Sequence, residues 1–383
     1  MPHIRKSGKG KDKYRIFVYV GKRVDPKTGR AKSPYQSFLF KGKQRDAERH
    51  AATLVHKQTE GTLVAPSRIT VGEYLDQWLG EQDPSPRTKE RWGELINQHL
   101  KPAFGDTPLA KLDPQKIQTY YLNAQRLDGK GKLSKRTVLH IHRVFHQALR
   151  RAVILKILVF NPTDLVKAPK PERPDMKVLD EKELMTLLKG FEGNRLYAPV
   201  VVAATTTLRR GELLALRWKD IKTNTLSVTR SLSETKAGGL VFKNPKTESS
   251  IRPITLLPLT VEVLRCHEVE QKKARLAAGP SWVDDGLVFP TFDGSRWRPS
   301  SFTSAFIDRV RAIGFTGIPL KNLRHSHISQ LLRAGVNPKV VAARAGHSSV
   351  KMTMDVYAQF LPADQERAAL ALEAVLQTAG NQA

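Results

Sequence analysis

The sequence predicts a mostly α-helical protein of several domains that also contains small β-sheets, which places it in the α+β class. Apolar residues recur mainly at helical spacing, and the alternation typical of strands is confined to residues 14–40 and 225–255. The 383 residues suffice for two or three domains at roughly 100–200 residues each. Four prolines between residues 161 and 178 interrupt regular structure, and they mark the clearest domain boundary.

The charge balance indicates a polyanionic partner. Lys and Arg number 64 against 36 Asp and Glu, which gives a net charge of +28 and favours nucleic acid. A membrane surface is the competing partner, but no apolar run approaches the ~20 residues of a membrane span. The basic N-terminus also lacks the apolar segment of a secretory signal. Cys266 is the only cysteine, which excludes an intrachain disulfide and a multi-cysteine zinc site, so we expect a cytoplasmic protein.

Residues 1–65 are predicted to form a small basic domain with a three-stranded sheet and one helix. They hold sixteen Lys and Arg against five Asp and Glu, a net charge of +11. Residues 14–20 and 36–40 alternate as strands do, residues 25–29 have the composition of a turn, and a helix follows over about 44–58. The alternation favours an ordered sheet over a disordered basic tail.

Residues 66–165 are predicted to form an all-helical, basic second domain. After a linker over residues 61–68, Thr70 begins a helix, and Glu73 stands three residues later, as in a capping box. Further helices are predicted over about 87–98, 114–124 and 134–156. The last of them carries the basic residues Lys135, Arg136, Arg143, Arg150 and Arg151.

Residues 175–383 are predicted to form a mixed α/β third domain. A capped helix begins at Asp180, a long helix lies near 194–208, and residues 240–242 and 251–255 are predicted to form a hairpin with Lys246 near its tip. An amphipathic helix over 364–377 ends the domain. Its apolar face needs a partner, either its own domain or a neighbouring protomer.

Four separated segments of the third domain carry residues of chemical interest. The first runs Thr-Leu-Arg-Arg-Gly-Glu from residue 207, and the second is Pro-Lys-Thr from residue 245. The third runs Leu-Lys-Asn-Leu-Arg-His from residue 320. The fourth contains Gly346-His347 and, further on, Thr353 and Tyr357. Each segment alone has an ordinary interpretation as a solvated surface, whereas their common order and spacing do not.

In this order and spacing the four segments resemble the catalytic domain of the tyrosine recombinases, the phage integrase family. The resemblance covers most of residues 180–357. The helical domain resembles the family's SAM-like core-binding domain, and the N-terminal domain resembles the arm-binding domains of integrases from phages and conjugative elements. The resemblance therefore implies an arm-type DNA-binding domain over 1–65, a core-binding domain over 66–165 and a catalytic domain with a tail helix over 175–383. A phage, a conjugative element and a genomic island all stay open as the source.

The resemblance also implies the catalytic residues, and one of them departs from the family pattern. In chain order the implied site is Arg209, Lys246, Lys321, Arg324, His347 and Tyr357, with Tyr357 as the nucleophile. The family usually has a histidine where Lys321 stands. Lys321 is therefore either a charged ligand of the phosphate, or a residue that leaves proton transfer to Lys246 and His347.

The chemistry of strand exchange agrees with these residue types. Attack on a phosphodiester builds negative charge on the nonbridging oxygens, which the guanidiniums of Arg209 and Arg324 can bind in a bidentate manner. A lysine such as Lys246 can give a proton to the leaving 5′ oxygen. A covalent phosphotyrosine conserves the energy of the broken bond, so no ATP is needed. Because no carboxylate pair suggests a two-metal site, we expect no metal ion or other cofactor.

The resemblance implies double-stranded DNA as the partner, through core and arm attachment sites. A homotetramer would exchange strands through a Holliday junction in the nucleoid of a bacterial host. An accessory DNA-bending protein and an excisionase are further candidate partners, and no membrane partner is expected. Two alternatives are a type IB topoisomerase, which uses the same side chains as a monomer, and a DNA-binding protein without catalysis. The basic N-terminal domain and the tail helix favour the recombinase over the first, and the complete set of site residues favours it over the second.

Removal of residues 1–65 should affect the reactions at core sites and at arm sites differently. Because this domain carries a charge of +11 but none of the implied catalytic residues, the truncated protein should still cleave a core site. Integration that depends on distal arm sites should be lost. Footprinting on DNA that contains both kinds of site measures the outcome. Identical footprints for the intact and the truncated protein would contradict an arm-binding role.

Overall fold

The computed structural model describes residues 3–7, 12–19, 23–24, 31–32, 34–59, 69–126, 129, 131–172, 177–244, 251–357, 369–370, 372–373 and 377. The chain divides into two compact units, Met1–Arg173 and Pro174–Ala383. The boundary lies in the proline-rich segment. The further division of the first unit at residue 65 stays a prediction.

The N-terminal part of the first unit is a three-stranded antiparallel sheet with one helix, as predicted. Its strands are β1 (His3–Lys6), β2 (Lys13–Tyr19) and β5 (Tyr35–Lys41), with β2 in the centre, and the two short strands β3 (Arg23–Val24) and β4 (Ala31–Lys32) pair with each other. Helix α1 (Gln44–Thr59) follows. A small separate core contains Ile16, Val18, Ala51 and Leu54. The predicted turn at 25–29 lies outside the described residues.

The remainder of the first unit is helical. The helices are α2 (Val71–Glu81), α3 (Pro86–Leu95), α4 (Lys101–Phe104), α5 (Pro114–Asn123) and α6 (Lys135–Ile154). The predicted capping box is present, because Thr70 Oγ1 accepts from the Glu73 amide and the Thr70 amide donates to Glu73 Oε2. The prediction of a helix over 87–98 is wrong at its C-terminal end, because the helical structure continues to Phe104. A π-helical turn, Ile96–Leu100, joins α3 to α4. Leu100 and Phe104 are both buried in the core of this domain, which favours a helical continuation.

The second unit is built around one almost fully buried helix. Its helices are α7 (Glu181–Phe191), α8 (Tyr197–Thr206), α9 (Arg210–Leu213), α10 (Pro258–Ala278), α11 (Pro299–Ala312), α12 (Lys321–Arg333), α13 (Pro338–Ala345) and α14 (Val350–Tyr357). In α8 every residue from Ala198 to Thr206 is buried, and this helix contacts α7, α10 and α12. The end of α8 is therefore a rigid position on which the following segment, Thr207–Glu212, is built.

The β region of this unit contains two sheets, and it corrects one prediction. Strands β6 (Ile221–Lys222), β7 (Thr225–Val228) and β10 (Arg252–Thr255) form one antiparallel sheet, with β7 in the centre, and β8 (Ser231–Thr235) pairs with β9 (Gly239–Lys243) in another.

The predicted hairpin between residues 240–242 and 251–255 is therefore wrong. The first run pairs with β8 across a three-residue turn, where the Gly238 amide donates to Thr235 Oγ1. The second run pairs with β7, so that Ile254 lies opposite Leu226. A short loop costs less conformational entropy to close than a long one, and both residues of the Ile254 pair are buried. Lys246 lies outside the described residues.

The tail is described only in part. Residues 369–370, 372–373 and 377 are helical, and Gln377 Nε2 donates to Glu373 Oε1. The remainder of the predicted tail helix over 364–377 lies outside the described residues, so its packing stays a prediction. Within the part of the chain that the structure describes, no helix has both the length and the apolar character needed to cross a bilayer.

Candidate active site

The site begins where α8 ends. Thr207 adopts a left-handed backbone conformation with φ of +60°, which is strained for a β-branched residue, and its side chain is fully buried. Its hydroxyl donates to the Arg344 carbonyl at 2.9 Å, at the end of α13. This left-handed residue ends α8, and Arg209, two residues later, directly precedes α9.

Arg209 is held from two sides. Its Nη1 donates to Glu212 Oε1 at 2.8 Å, and its Nη2 donates to the Gly346 carbonyl at 2.7 Å. The side chain nevertheless stays 42% exposed, which leaves part of the guanidinium accessible to a ligand. The arginine is thus fixed in orientation while one side of it faces solvent.

Glu212 is the buried carboxylate of this site. It accepts from Arg209 Nη1 and from the Arg209 amide, and Arg252 Nη2 donates to its Oε2 at 3.1 Å. Burial works to raise the pKa of this carboxyl. The charge and hydrogen bond of Arg252, together with Arg209, outweigh burial and lower the pKa below its ordinary value. Glu212 is therefore ionised at neutral pH and shared between two guanidiniums.

Arg324, on the first turn of α12, is anchored to the same two segments. Its Nη2 donates to the Ala345 carbonyl at 2.7 Å, and its Nη1 donates to the Thr207 carbonyl. Arg209 and Arg324 therefore bind adjacent carbonyls, those of Gly346 and Ala345, at the end of α13. The fold brings the two predicted arginines together through the main chain that leads into His347.

A cleft of about 350 Å³ opens beside these two arginines. Arg209, Lys321 and Arg324 all line it, and Arg210 adds a fourth cationic side chain, which donates to Thr303 Oγ1 at 2.7 Å. The floor is apolar and includes Leu208, Leu213 and Leu320. Four cationic side chains around an apolar cavity of this size suit a small anion such as a phosphate group.

His347 follows directly after this anchored segment. Gly346 ends α13 in the left-handed conformation, with φ of +63°, and the chain then enters α14. Nδ1 of His347 and Oγ1 of the fully buried Thr353 share a hydrogen bond of 2.8 Å. Burial, and then the charges of Arg324 and Arg209, lower the pKa of His347 to about 4, so its imidazole is neutral at physiological pH.

The structure describes four of the six predicted site residues with their side chains. Arg209, Lys321 and Arg324 share one cleft, and His347 is joined to it through Gly346. Tyr357, of which only the backbone is described, is the last residue of α14. It lies four residues after Thr353, which places the two positions on one helix face. The side chain of Tyr357 and the whole of Lys246 lie outside the description.

Three supporting contacts were not predicted from the sequence. Arg252 binds Glu212, Thr353 binds His347, and Arg344 donates to the carbonyls of Thr205 and Thr255. Thr353 stands in the fourth motif segment, and Arg252 alternates with Ile254 and so takes the buried register of a strand, whereas Arg344 had no signal in the sequence. Among the described residues, no three His, Cys, Asp or Glu side chains are arranged to hold a metal ion.

Two family models match the chain. The model of the phage integrase family matches residues 177–363, and the model described as phage integrase, N-terminal SAM-like domain, matches residues 70–124. The first range contains every residue of the cleft. The second falls within the helical part of the first unit.

Relatives and solved structures match over most of the chain. The integrase of Mycobacterium phage FRAT1 is 29% identical over 307 residues, which cover 79% of this chain and 87% of the relative. The Tn1549 transposon integrase, solved with a circular intermediate DNA, has 20% identity and a TM-score of 0.67 over 80% of this chain and 99% of its own. A lambda integrase tetramer solved on a Holliday junction has 17% identity and a TM-score of 0.55 over 89% and 91% of the two chains. At these identities the two structures establish a likeness of fold.

Acid should destabilise the second unit through its histidines. Burial in the first place, with neighbouring cationic side chains, lowers the pKa of His325, His327 and His347 to about 4 each. The unfolded chain, with values near 6.5, binds these protons more readily, so the stability is complete above that pH and is lost as the pH falls toward 4. The melting temperature should therefore fall between pH 7 and pH 5, and His347→Gln should reduce that slope. Imidazole resonances of His325, His327 and His347 that titrate near pH 6.5 in the folded protein would contradict this prediction.

Proposed function

Because the chain belongs to the phage integrase family, the tyrosine recombinases, we propose that it breaks and rejoins DNA at specific sites with Tyr357 as its nucleophile. The reaction would integrate or excise a mobile element. One observation supports this most strongly. Arg209, Lys321 and Arg324 line one cleft, and the main chain to which both arginines bind continues through His347 into the helix that ends at Tyr357.

In the proposed reaction the phenolate oxygen of Tyr357 attacks the scissile phosphorus. The bond from phosphorus to the 5′ oxygen breaks as the phosphotyrosine bond forms, which leaves a 3′-phosphotyrosine and a 5′-hydroxyl end. Lys246 gives the leaving oxygen its proton. The 5′-hydroxyl of a partner strand then reverses these steps, so two bonds break and two form without an external energy source.

Arg209 and Arg324 would bind the two nonbridging oxygens. Both are already fixed by protein acceptors, so little reorganisation is needed when negative charge develops in the transition state. Lys321 lines the same cleft and would add a third cation to the phosphate, the first of the two roles open to it. His347, neutral and bonded through Nδ1, has Nε2 left for the phosphate or the phenol of Tyr357.

Two basic surfaces are proposed to bind double-stranded DNA. The first is one face of the N-terminal sheet, for arm sites, and the second is the outer face of α6, for the core site. The exposed residues of the sheet face include Arg5, Lys13, Arg15, Tyr19, Tyr35 and Lys41. The exposed residues of α6 include Lys135, Arg136, Arg143, Arg150 and Arg151. Cations on these faces would bind backbone phosphates.

The assembly is proposed to be a homotetramer that brings two duplexes together, by analogy with the lambda integrase tetramer on a Holliday junction. An accessory DNA-bending protein and an excisionase are proposed as further partners. The place of action would be the nucleoid in the cytoplasm of a bacterial host. A type IB topoisomerase is the rival function, and the basic N-terminal sheet and the integrase relatives favour the recombinase.

The role of Tyr357 can be tested by covalent trapping. A core-site duplex nicked near the scissile phosphate loses its 5′-hydroxyl fragment after cleavage, so the covalent adduct should accumulate, also in the presence of EDTA. Tyr357→Phe should bind this DNA and form no adduct, because it lacks the attacking oxygen. Tyr197→Phe, a tyrosine of α8, is the matched control and should form the adduct. An adduct with Tyr357→Phe would identify another nucleophile.

The role of the two arginines can be tested by comparing cleavage with binding. Arg209→Ala or Arg324→Ala should slow cleavage on the order of 10²–10³-fold, the usual effect of one lost transition-state donor. DNA affinity should fall far less, since many other cations bind the backbone. Arg311→Ala removes a 70% exposed arginine of α11 and is the matched control. Equal losses of cleavage and of affinity would make Arg209 and Arg324 ordinary DNA contacts.

A further inference from the structure

Arg252 is an arginine in the core of the second unit. It is the first residue of β10, where it lies opposite Val228, and the alternation of that strand places it on the same buried face as Ile254. Only 5% of Arg252 is exposed. A guanidinium at such a position loses its hydration, which costs several kcal/mol unless hydrogen bonds and an opposite charge replace it.

The contacts of Arg252 reach two other segments of the site. Its Nη2 donates to Glu212 Oε2 at 3.1 Å, and its Nε donates to the Arg344 carbonyl at 2.8 Å. Its guanidinium also lies against Gly346, where a Cβ atom would come within 2.8 Å of Nη1. One side chain therefore fixes the carboxylate of α9, the last turn of α13 and the glycine that follows.

These groups coincide with the anchors of Arg209. The guanidinium of Arg209 donates to Glu212 Oε1 and to the Gly346 carbonyl, and Arg252 contacts both residues from the buried side. The Arg344 carbonyl that accepts from Arg252 also accepts from the Thr207 hydroxyl, and the Thr207 carbonyl accepts from Arg324. Arg209 and Arg324 are thus connected to Arg252 through one and two hydrogen-bonded groups, respectively.

Stability alone does not account for an arginine at this position. A buried ion pair is often no more stabilising than apolar side chains of similar volume, because the cost of desolvation offsets the attraction. The neighbouring buried positions of the sheet, Leu226, Val228 and Ile254, are apolar. What the guanidinium adds is direction, since it binds a carboxylate and a carbonyl at fixed angles.

We propose that Arg252 is a positioning residue for the phosphate-binding arginines: it contacts Glu212 and Gly346, the two groups that hold Arg209, and fixes Arg324 through Arg344 and Thr207. This inference rests on the proposed function of Arg209 and Arg324. Arg252 itself does not line the cleft, so its effect on a bound phosphate would pass through the groups that it holds.

The first test compares Arg252→Lys with Arg309→Lys. Arg309 is another arginine of the same unit that donates to a main-chain carbonyl, through two hydrogen bonds to that of Gly190, which lies in α7 and does not line the cleft. Arg252→Lys keeps the charge opposite Glu212 and loses the planar contact with Gly346. Single-turnover cleavage of the nicked core duplex at saturating protein should fall about 10²-fold, the effect expected when a reacting group is displaced by roughly 1 Å. The Kd of the Arg252→Lys variant for the same DNA should stay within about threefold of the wild-type value, and Arg309→Lys should keep the full cleavage rate.

The second test is a double-mutant cycle with Arg209→Ala. If Arg252 acts through Arg209, adding Arg252→Lys to Arg209→Ala should slow cleavage by much less than Arg252→Lys does alone. Losses that multiply in the double variant would overturn the proposal, and so would full cleavage by Arg252→Lys. Arg209→Ala alone tests the proposed function, since wild-type cleavage by that variant would refute the role of Arg209 itself.

A separate variant covers the case in which Arg252→Lys does not fold, as judged by thermal unfolding. Gly346→Ala disturbs the same contact from the opposite side, because its Cβ atom would collide with the guanidinium of Arg252. The proposal requires this variant to lose cleavage at retained DNA affinity and to be non-additive with Arg209→Ala. Full cleavage by Gly346→Ala, or losses that multiply, would overturn it.

Discussion

The candidate active site depends on holding several guanidiniums close together in a protein that is already strongly basic. Like charges repel, so each arginine of the site needs acceptors that leave part of it available for a phosphate. The structure supplies one buried carboxylate, Glu212, and a series of main-chain carbonyls at the end of α13. Glu212 is shared between Arg209 and Arg252, which keeps the site cationic overall while the charge in the core is compensated.

This requirement explains several local features that otherwise have little in common. The left-handed Thr207 turns its carbonyl to Arg324 and its hydroxyl to the last turn of α13. The left-handed Gly346 lets that turn end against a guanidinium, with no room for a side chain. The buried helix α8 provides a rigid base for the first of these turns. Helix ends, strand β10 and the cleft are thus parts of one hydrogen-bonded arrangement, and catalysis by preorganised donors needs such rigidity.

The sequence predicted the proposed phosphate ligands better than the groups that hold them. Arg209, Arg324 and His347 were identifiable because their side chains stand in recognisable motifs. Arg344 and the carbonyls of residues 344–346 were not, because a main-chain acceptor has no signature in the sequence. The pairing of β9 was mispredicted for a related reason: the polar run Ser231–Thr235 has little strand character, yet a three-residue turn makes it the nearest partner. Arg252 was visible only as a charge in a buried register, which pattern analysis treats as an exception.

If the proposed function is correct, the scissile phosphate occupies the cleft between Arg209 and Arg324. The most direct measurement is a crystal or electron cryo-microscopy structure of the Tyr357→Phe protein on an intact core-site duplex. We expect the nonbridging oxygens of one phosphate to lie about 3 Å from guanidinium nitrogens of both arginines, with Glu212 and the Gly346 carbonyl still bound to Arg209. A scissile phosphate bound elsewhere, with both guanidiniums bonded to protein acceptors alone, would contradict the account.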